Sequence, residues 1–265
     1  MAEGAGRRAA DGHGFTAPRV LVGRDDLRAT LDRRLVPGAV VTAVGPGGVG
    51  KTSLAARLTA DRRGAGEVVR VGRLDPLPPG APGAAVADAL GFESVGAAAV
   101  VLAEAPALVV LDGCEHVVEG AREVIDAVTA AAPAAQVLAT SREPLGAHDE
   151  QVVVVPPLAL PAPGGADAEA SPAVALFLER ARAAGAVIVP STRVLADVGE
   201  LCRRLDGLPL AIELAAARSR ALAPADLLAL VDQRLDVLAR RRPAARRHDS
   251  MHAAIDVSVG MLPAD

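Results

Sequence analysis

The chain contains one lysine among its 28 basic side chains, Lys51, and that lysine sits inside the stretch GPGGVGKT at positions 45–52. The stretch fits the spacing G-x-x-x-x-G-K-[ST], in which glycines let successive backbone N–H groups turn inward at the positive end of a following helix. Such a loop cradles phosphate oxygens, and Gly45, Gly47, Gly48, Val49, Gly50, Lys51, Thr52 and Ser53 are its candidate residues. The composition leans strongly to Ala, Arg, Gly and Pro, with no Trp or Tyr and three Phe. Where arginine serves almost everywhere else, a surviving lysine marks a place that requires a compact point charge. An ammonium reaches between β- and γ-phosphate oxygens, whereas a planar guanidinium is bulkier and committed to its fork geometry.

A phosphate cradle works with a divalent cation, and Thr52 offers a hydroxyl to Mg²⁺. Asp112 ends the apolar run ALVVLD and is the candidate carboxylate for the same ion, so Thr52 and Asp112 form the expected metal pair. Hydrolysis also requires a group that orients water, and the residue after Asp112 is Gly113. Glu115 is the nearest replacement. It has a second reading, as a first-turn carboxylate complementing the dipole of the next helix. Arg142, just beyond another apolar run, is placed to distinguish triphosphate from diphosphate by charge. Lys51, Asp112, Glu115 and Arg142 are thus the candidate catalytic set. His116 and His148 have no partner at catalytic spacing and read as surface residues.

Holding these groups together requires strands. AVVTAV (39–44), GEVVRVGRL (66–74), ALVVLD (107–112), QVLAT (136–140) and QVVVV (151–155) are short apolar or β-branched runs separated by helical patterns. The expected fold is α/β: a five-stranded parallel sheet of the P-loop NTPase type with helices on both faces, its ligands at the carboxyl ends of the strands, followed by a smaller all-α domain. Residues 113–132 place Val117, Ala121, Val124, Ile125 and Val128 on one helical face, opposite Glu119, Arg122, Glu123 and Asp126. VLVGRDDLRATLDRRL (20–35) reads as an extended trio followed by an amphipathic helix.

The expected domains are an arm at 1–18, a nucleotide-binding domain at 19–156 and a Pro/Gly-rich linker at 157–171. A helical domain at 172–240 and a final segment at 241–265 follow. The arginine cluster at 240–248 reads as a solvated link rather than a DNA patch. A net charge of −4 and the lack of a readable helix-turn-helix argue against direct DNA binding by this chain, and the scarcity of aromatics argues against stacking on single strands. No apolar run approaches the length of a bilayer span and no secretory signal is present, so the expected address is cytoplasmic, with Cys114 and Cys202 as reduced thiols.

Six segments in order, VGRDDL (22–27), GPGGVGKT, LVVLDGCEH (108–116), TSREPL (140–145), VVPPLALP (154–161) and RRLDGLPLAIELAAAR (203–218), resemble the signal-transduction ATPases with numerous domains, the STAND class. The likeness spans about residues 20–262. It is nearest to the nucleotide-binding modules of bacterial transcriptional activators of the antibiotic-regulator (SARP) and LuxR-like types, related to the NB-ARC ATPases of plant disease resistance and apoptosis. The resemblance implies that Val22 and Arg24 lie near adenine and that Pro209 contacts the base. It implies that Lys51 and Thr52 hold phosphate and Mg²⁺, that Asp112 holds Mg²⁺, and that Arg142 is a sensor. It further implies an ATP/ADP switch with slow ATP hydrolysis at most, acting with a protein partner or by self-association. The family pattern departs here at Gly113, where members often carry a polar or acidic residue, and in the last segment, which resembles only the start of a winged-helix domain. The alternative reading is a nucleotide-binding scaffold that works by association without turnover.

Overall fold

The computed structural model describes residues 15–18, 20–105, 107–162 and 167–231. Most of the expected arm, the end of the helical domain, the arginine cluster and the expected winged-helix start at 241–265 lie outside the described residues. The chain divides into two compact units, at 1–156 and 157–265.

The first unit is an α/β layer structure. Its strands are β1 (Val40–Val44), β2 (Val69–Arg73), β3 (Leu108–Asp112), β4 (Gln136–Ser141) and β5 (Glu150–Val154). They form one sheet in the order β2-β3-β4-β1-β5, every pairing parallel. The helices are α1 (Asp25–Arg34), α2 (Lys51–Gly64), α3 (Gly83–Ala89), α4 (Val95–Glu104) and α5 (Val118–Ala131). All five residues of β3 are buried, as a continuous apolar run between two parallel neighbours requires. Alternation then sends Val109 and Leu111 into one core with α3, α4 and α5, and leaves Leu108 and Val110 for the opposite face, where α2 packs on β2, β3 and β4.

The five apolar positions expected on the face of α5 are buried, and Glu119, Arg122, Glu123 and Asp126 are exposed. Each of Val124, Ile125 and Val128 contributes roughly 1.5–3 kcal/mol through that burial. The expected helix at 113–132 is divided, however. Cys114–His116 is a separate 3-10 turn, because Gly113 takes φ 84° and turns the chain sharply out of β3. The extended trio at 20–22 does not become a strand. Instead α1 is fixed along α2 by Arg28 to Asp61 (2.8 Å) and Arg62 to Asp32 (2.8 Å).

The second unit is helical throughout its described part: α6 (Pro172–Ala183), α7 (Thr192–Arg204) and α8 (Pro209–Ala217), with a further helical stretch at 224–231. Val174, Phe177, Val198, Leu201, Cys202 and Ile212 form its core at 0% exposure. The Ser191 hydroxyl accepts from Val194 N at the start of α7, and Pro209 opens α8 where its missing N–H has no intrahelical partner to lose. Arg180 of α6 pairs with Glu213 of α8 at 3.0 Å. Cys114 and Cys202 are both free and buried, and burial pushes each thiol well above its ordinary pKa, so neither is a thiolate near neutrality.

Candidate phosphate and cation site

The phosphate loop connects β1 to α2. Gly50, at φ 96°, is the residue from which α2 starts, and Gly48 also has positive φ (72°), so the loop reverses twice within three residues. Gly45 is needed for a different reason: a Cβ there would stand 2.7 Å from the carbonyl oxygen of Val155. Val49 is fully buried and anchors the loop tip, while Gly47 is half-buried. Lys51 is 8% exposed, and its Nζ donates to Gly45 O (2.8 Å) and Pro46 O (3.1 Å). The ammonium thus arches back over the loop. Burial lowers its pKa, Glu115 and then Asp112 raise it, and Arg142 lowers it, so both carboxylates and the guanidinium act on one charge. Ser53 follows on the first turn of α2, half-buried.

Asp112 is completely buried. Its Oδ1 accepts from the hydroxyls of Thr52 (2.9 Å) and Thr140 (2.7 Å), and its Oδ2 is buried without a partner. Burial raises the carboxyl's pKa, an effect that the two hydroxyl donors oppose. A buried carboxylate oxygen left unmatched costs stability unless something binds it. One carboxylate, one hydroxyl and the oxygens of a phosphate chain are a donor set that Mg²⁺ accepts, since that ion keeps waters and takes few protein ligands. The residues therefore fit a magnesium–phosphate ligand. Among the described residues no group of three or more His, Cys, Asp or Glu could hold a metal by itself.

The departure at Gly113 acquires a physical reason. Its N–H donates to Thr140 Oγ1 (2.9 Å), and at φ 84° a Cβ on it would lie 2.5 Å from Asp75 Oδ1. Position 113 faces the loop after β2, where Asp75 already stands. Gly113→Asp is accordingly expected to destabilise the protein by about 1–2 kcal/mol through the left-handed backbone and the crowding of two carboxylates. Thermal unfolding of the variant checks this; an unchanged Tm would show that Asp75 moves aside without cost.

Glu115 lies on the 3-10 turn that follows, so it does not occupy the first turn of α5. Its Oε1 accepts from Arg142 Nε at 3.0 Å and its Oε2 is buried without a partner. Arg142, just past β4, is 64% exposed. His116 is not a free surface residue: it is half-buried, and its Nε2 lies 3.0 Å from both Leu74 O and Leu77 O, tying the turn after β3 to the loop after β2. His148 is exposed.

Arg24 is 7% exposed and its Nη2 donates to Val49 O (3.1 Å), which ties the VGR segment to the phosphate loop; Val22 is half-buried in the turn before it. Burial lowers the pKa of this guanidinium. The first unit thus gathers Arg24, the phosphate loop, Thr52, Asp112, Glu115 and Arg142, while Pro209 lies half-buried in the second unit. Thr140 and Asp75 were missed in the sequence. The only signal for Thr140 was a hydroxyl closing an apolar strand, and Asp75 became significant only when β2 paired with β3.

No family model matches the chain. An uncharacterized protein of Mycobacterium tuberculosis is 34% identical over 260 residues, covering 90% of this chain and 60% of that protein. A "Putative HTH-type transcriptional regulator" of the same organism is 32% identical over 235 residues, covering 86% of this chain and 26% of that protein. The chain therefore spans 60% and 26% of the lengths of these two relatives. Among solved structures, a Walker-type ATPase of Pyrococcus abyssi superposes with TM-score 0.55 at 15% identity, covering 86% of this chain and 78% of that one. A STAND protein with a tetratricopeptide repeat sensor from Pyrococcus horikoshii superposes with TM-score 0.53 at 18% identity, covering 85% of this chain and 35% of that one. These likenesses show the fold of a P-loop ATPase. Among the described residues no helix is long and apolar enough to cross a membrane.

Proposed function

We propose that the chain is an ATP/ADP-binding switch module of the STAND type within a bacterial regulator, with slow ATP hydrolysis at most. The observation that carries this reading is the unmatched Oδ2 of Asp112, buried beside Thr52 at the mouth of a loop whose buried lysine is the chain's only one. Gly45, Gly47, Gly48, Val49, Gly50, Lys51, Thr52 and Ser53 hold the phosphates, and Thr52 with Asp112 holds Mg²⁺. The ion supplies neutralising charge at the phosphates. Val22 and Arg24 lie toward the base, Arg24 fixing the loop carbonyl at Val49. Arg142 reads the terminal phosphate and Glu115 orients water.

Two features support slow chemistry. Gly113 stands directly beyond Asp112, and the next acid along the chain, Glu115, is engaged with Arg142. A nucleotide biases such a module only by its different affinity for two states, and that difference is the output a partner protein would read. Transcriptional regulation as that output is supported by the likeness to a "Putative HTH-type transcriptional regulator" of Mycobacterium tuberculosis.

The test is the nucleotide content of the purified protein. After denaturation, chromatography is expected to find ADP or ATP approaching one equivalent per chain, and none from Lys51→Ala. A folded wild-type protein that is empty and also fails to take up added Mg²⁺·ADP would contradict the reading. The second reading, a non-hydrolysing scaffold, is favoured by the Glu115–Arg142 pairing alone. Retained ATP in place of ADP would select it.

A further inference from the structure

We infer that Glu115 sets the preference of the phosphate site for triphosphate against diphosphate, by competing with the terminal phosphate for Arg142. The inference rests on the nucleotide-binding reading above and deepens it. Glu115 enters from the 3-10 turn after β3 and Arg142 from the end of β4, so the pair bridges adjacent strand ends. Arg142 Nε meets Glu115 Oε1 at 3.0 Å, and this is the only ion pair that Arg142 forms among the described residues. The other oxygen of Glu115 is buried and unmatched, so the carboxylate is turned inward rather than toward solvent, at a cost that a bound ligand would relieve.

Arg142 keeps 64% of its side chain exposed and Glu115 24%. A pair this open is weak, so a terminal phosphate, with more charge and three acceptor oxygens, takes the guanidinium from the carboxylate at small cost. That cost falls on the triphosphate alone, because a diphosphate leaves the Arg142–Glu115 contact in place. Glu115 thereby lowers the affinity for the triphosphate relative to the diphosphate, and the carboxylate freed by the triphosphate is the one placed to orient water. Discrimination and the onset of hydrolysis then share one exchange of partners.

A double-mutant cycle read by calorimetry tests this, with Mg²⁺·ADP and Mg²⁺·β,γ-imido-ATP titrated onto wild type, Glu115→Gln, Arg142→Gln and the double variant. Glu115→Gln is expected to raise the preference for the triphosphate analogue about two- to five-fold, the worth of a half-exposed ion pair. That gain should vanish on the Arg142→Gln background. An equal gain with and without Arg142 would mean simple repulsion between carboxylate and phosphate and would overturn the proposal, as would an unchanged preference in Glu115→Gln. A folded wild-type chain that binds neither nucleotide would defeat the underlying reading, and the competition with it.

Discussion

Lys51→Ala is expected to lower affinity for Mg²⁺·ADP at least about 30-fold, with the protein still folded. The ammonium is buried to 8% exposure in a loop whose own carbonyls at Gly45 and Pro46 hold it, so it is already desolvated and aimed before a phosphate arrives. A charge-assisted contact made by a preorganised, water-excluded cation is lost outright when the cation is removed, at about 2–5 kcal/mol. Lys51→Arg is expected to fail nearly as badly. A planar guanidinium is bulkier and committed to its fork geometry, whereas the two carbonyl acceptors at Gly45 and Pro46 suit an ammonium's three donors. Calorimetric titration of both variants checks the result, and an arginine variant with wild-type affinity would show that charge alone suffices.

Asp112→Asn should separate stability from cation binding. Asp112 is fully buried, and its Oδ2 has no partner. Because burial raises its pKa, the folded state holds the proton more tightly than the unfolded chain. Stability without cation therefore falls as pH rises from the ordinary carboxylate value, about 4, through the raised one, and the full penalty is present above it. Asparagine removes the charge while its Oδ1 still accepts from Thr52 and Thr140. The variant is expected to be more stable than wild type near neutral pH by about 1–2 kcal/mol, a difference that disappears in acid. It should also lose the dependence of nucleotide affinity on Mg²⁺. Thermal unfolding across pH, with and without Mg²⁺·ADP, reads both effects. A destabilised Asp112→Asn protein, or one whose nucleotide affinity still rises with Mg²⁺, would contradict the account.

The phosphate loop was legible because its chemistry is local: glycines, lysine and threonine are contiguous, and the β-branched run before them can only be a buried strand. The five strands were legible for the same reason, each being a short apolar run bounded by turn residues. The face of α5 followed from its spacing. What stayed hidden depends on contacts between distant segments. Gly113 read as a missing acid, whereas its left-handed turn and the approach of Asp75, 38 residues earlier, make it a requirement of the path out of β3. His116 read as a surface residue because its two carbonyl partners, Leu74 and Leu77, come from another strand's exit. Of the two readings of Glu115, a place in the first turn of α5 is the one set aside, because the same glycine turn interrupts the helix pattern. Arg24 came into view through family likeness as a neighbour of the base, and its hydrogen bond to Val49 adds a tie to the phosphate loop that no sequence pattern announces.

The most direct test of the central claim is an equilibrium titration of Mg²⁺·ADP onto the folded chain after any retained nucleotide has been stripped. The account predicts saturable one-site binding, a stabilisation that grows with ligand concentration as RT ln(1 + [L]/Kd) and raises Tm accordingly, and loss of both with Lys51→Ala. No heat of binding and no Tm shift at millimolar Mg²⁺·ADP, from protein that is demonstrably folded, would mean that the loop between β1 and α2 is not a nucleotide site.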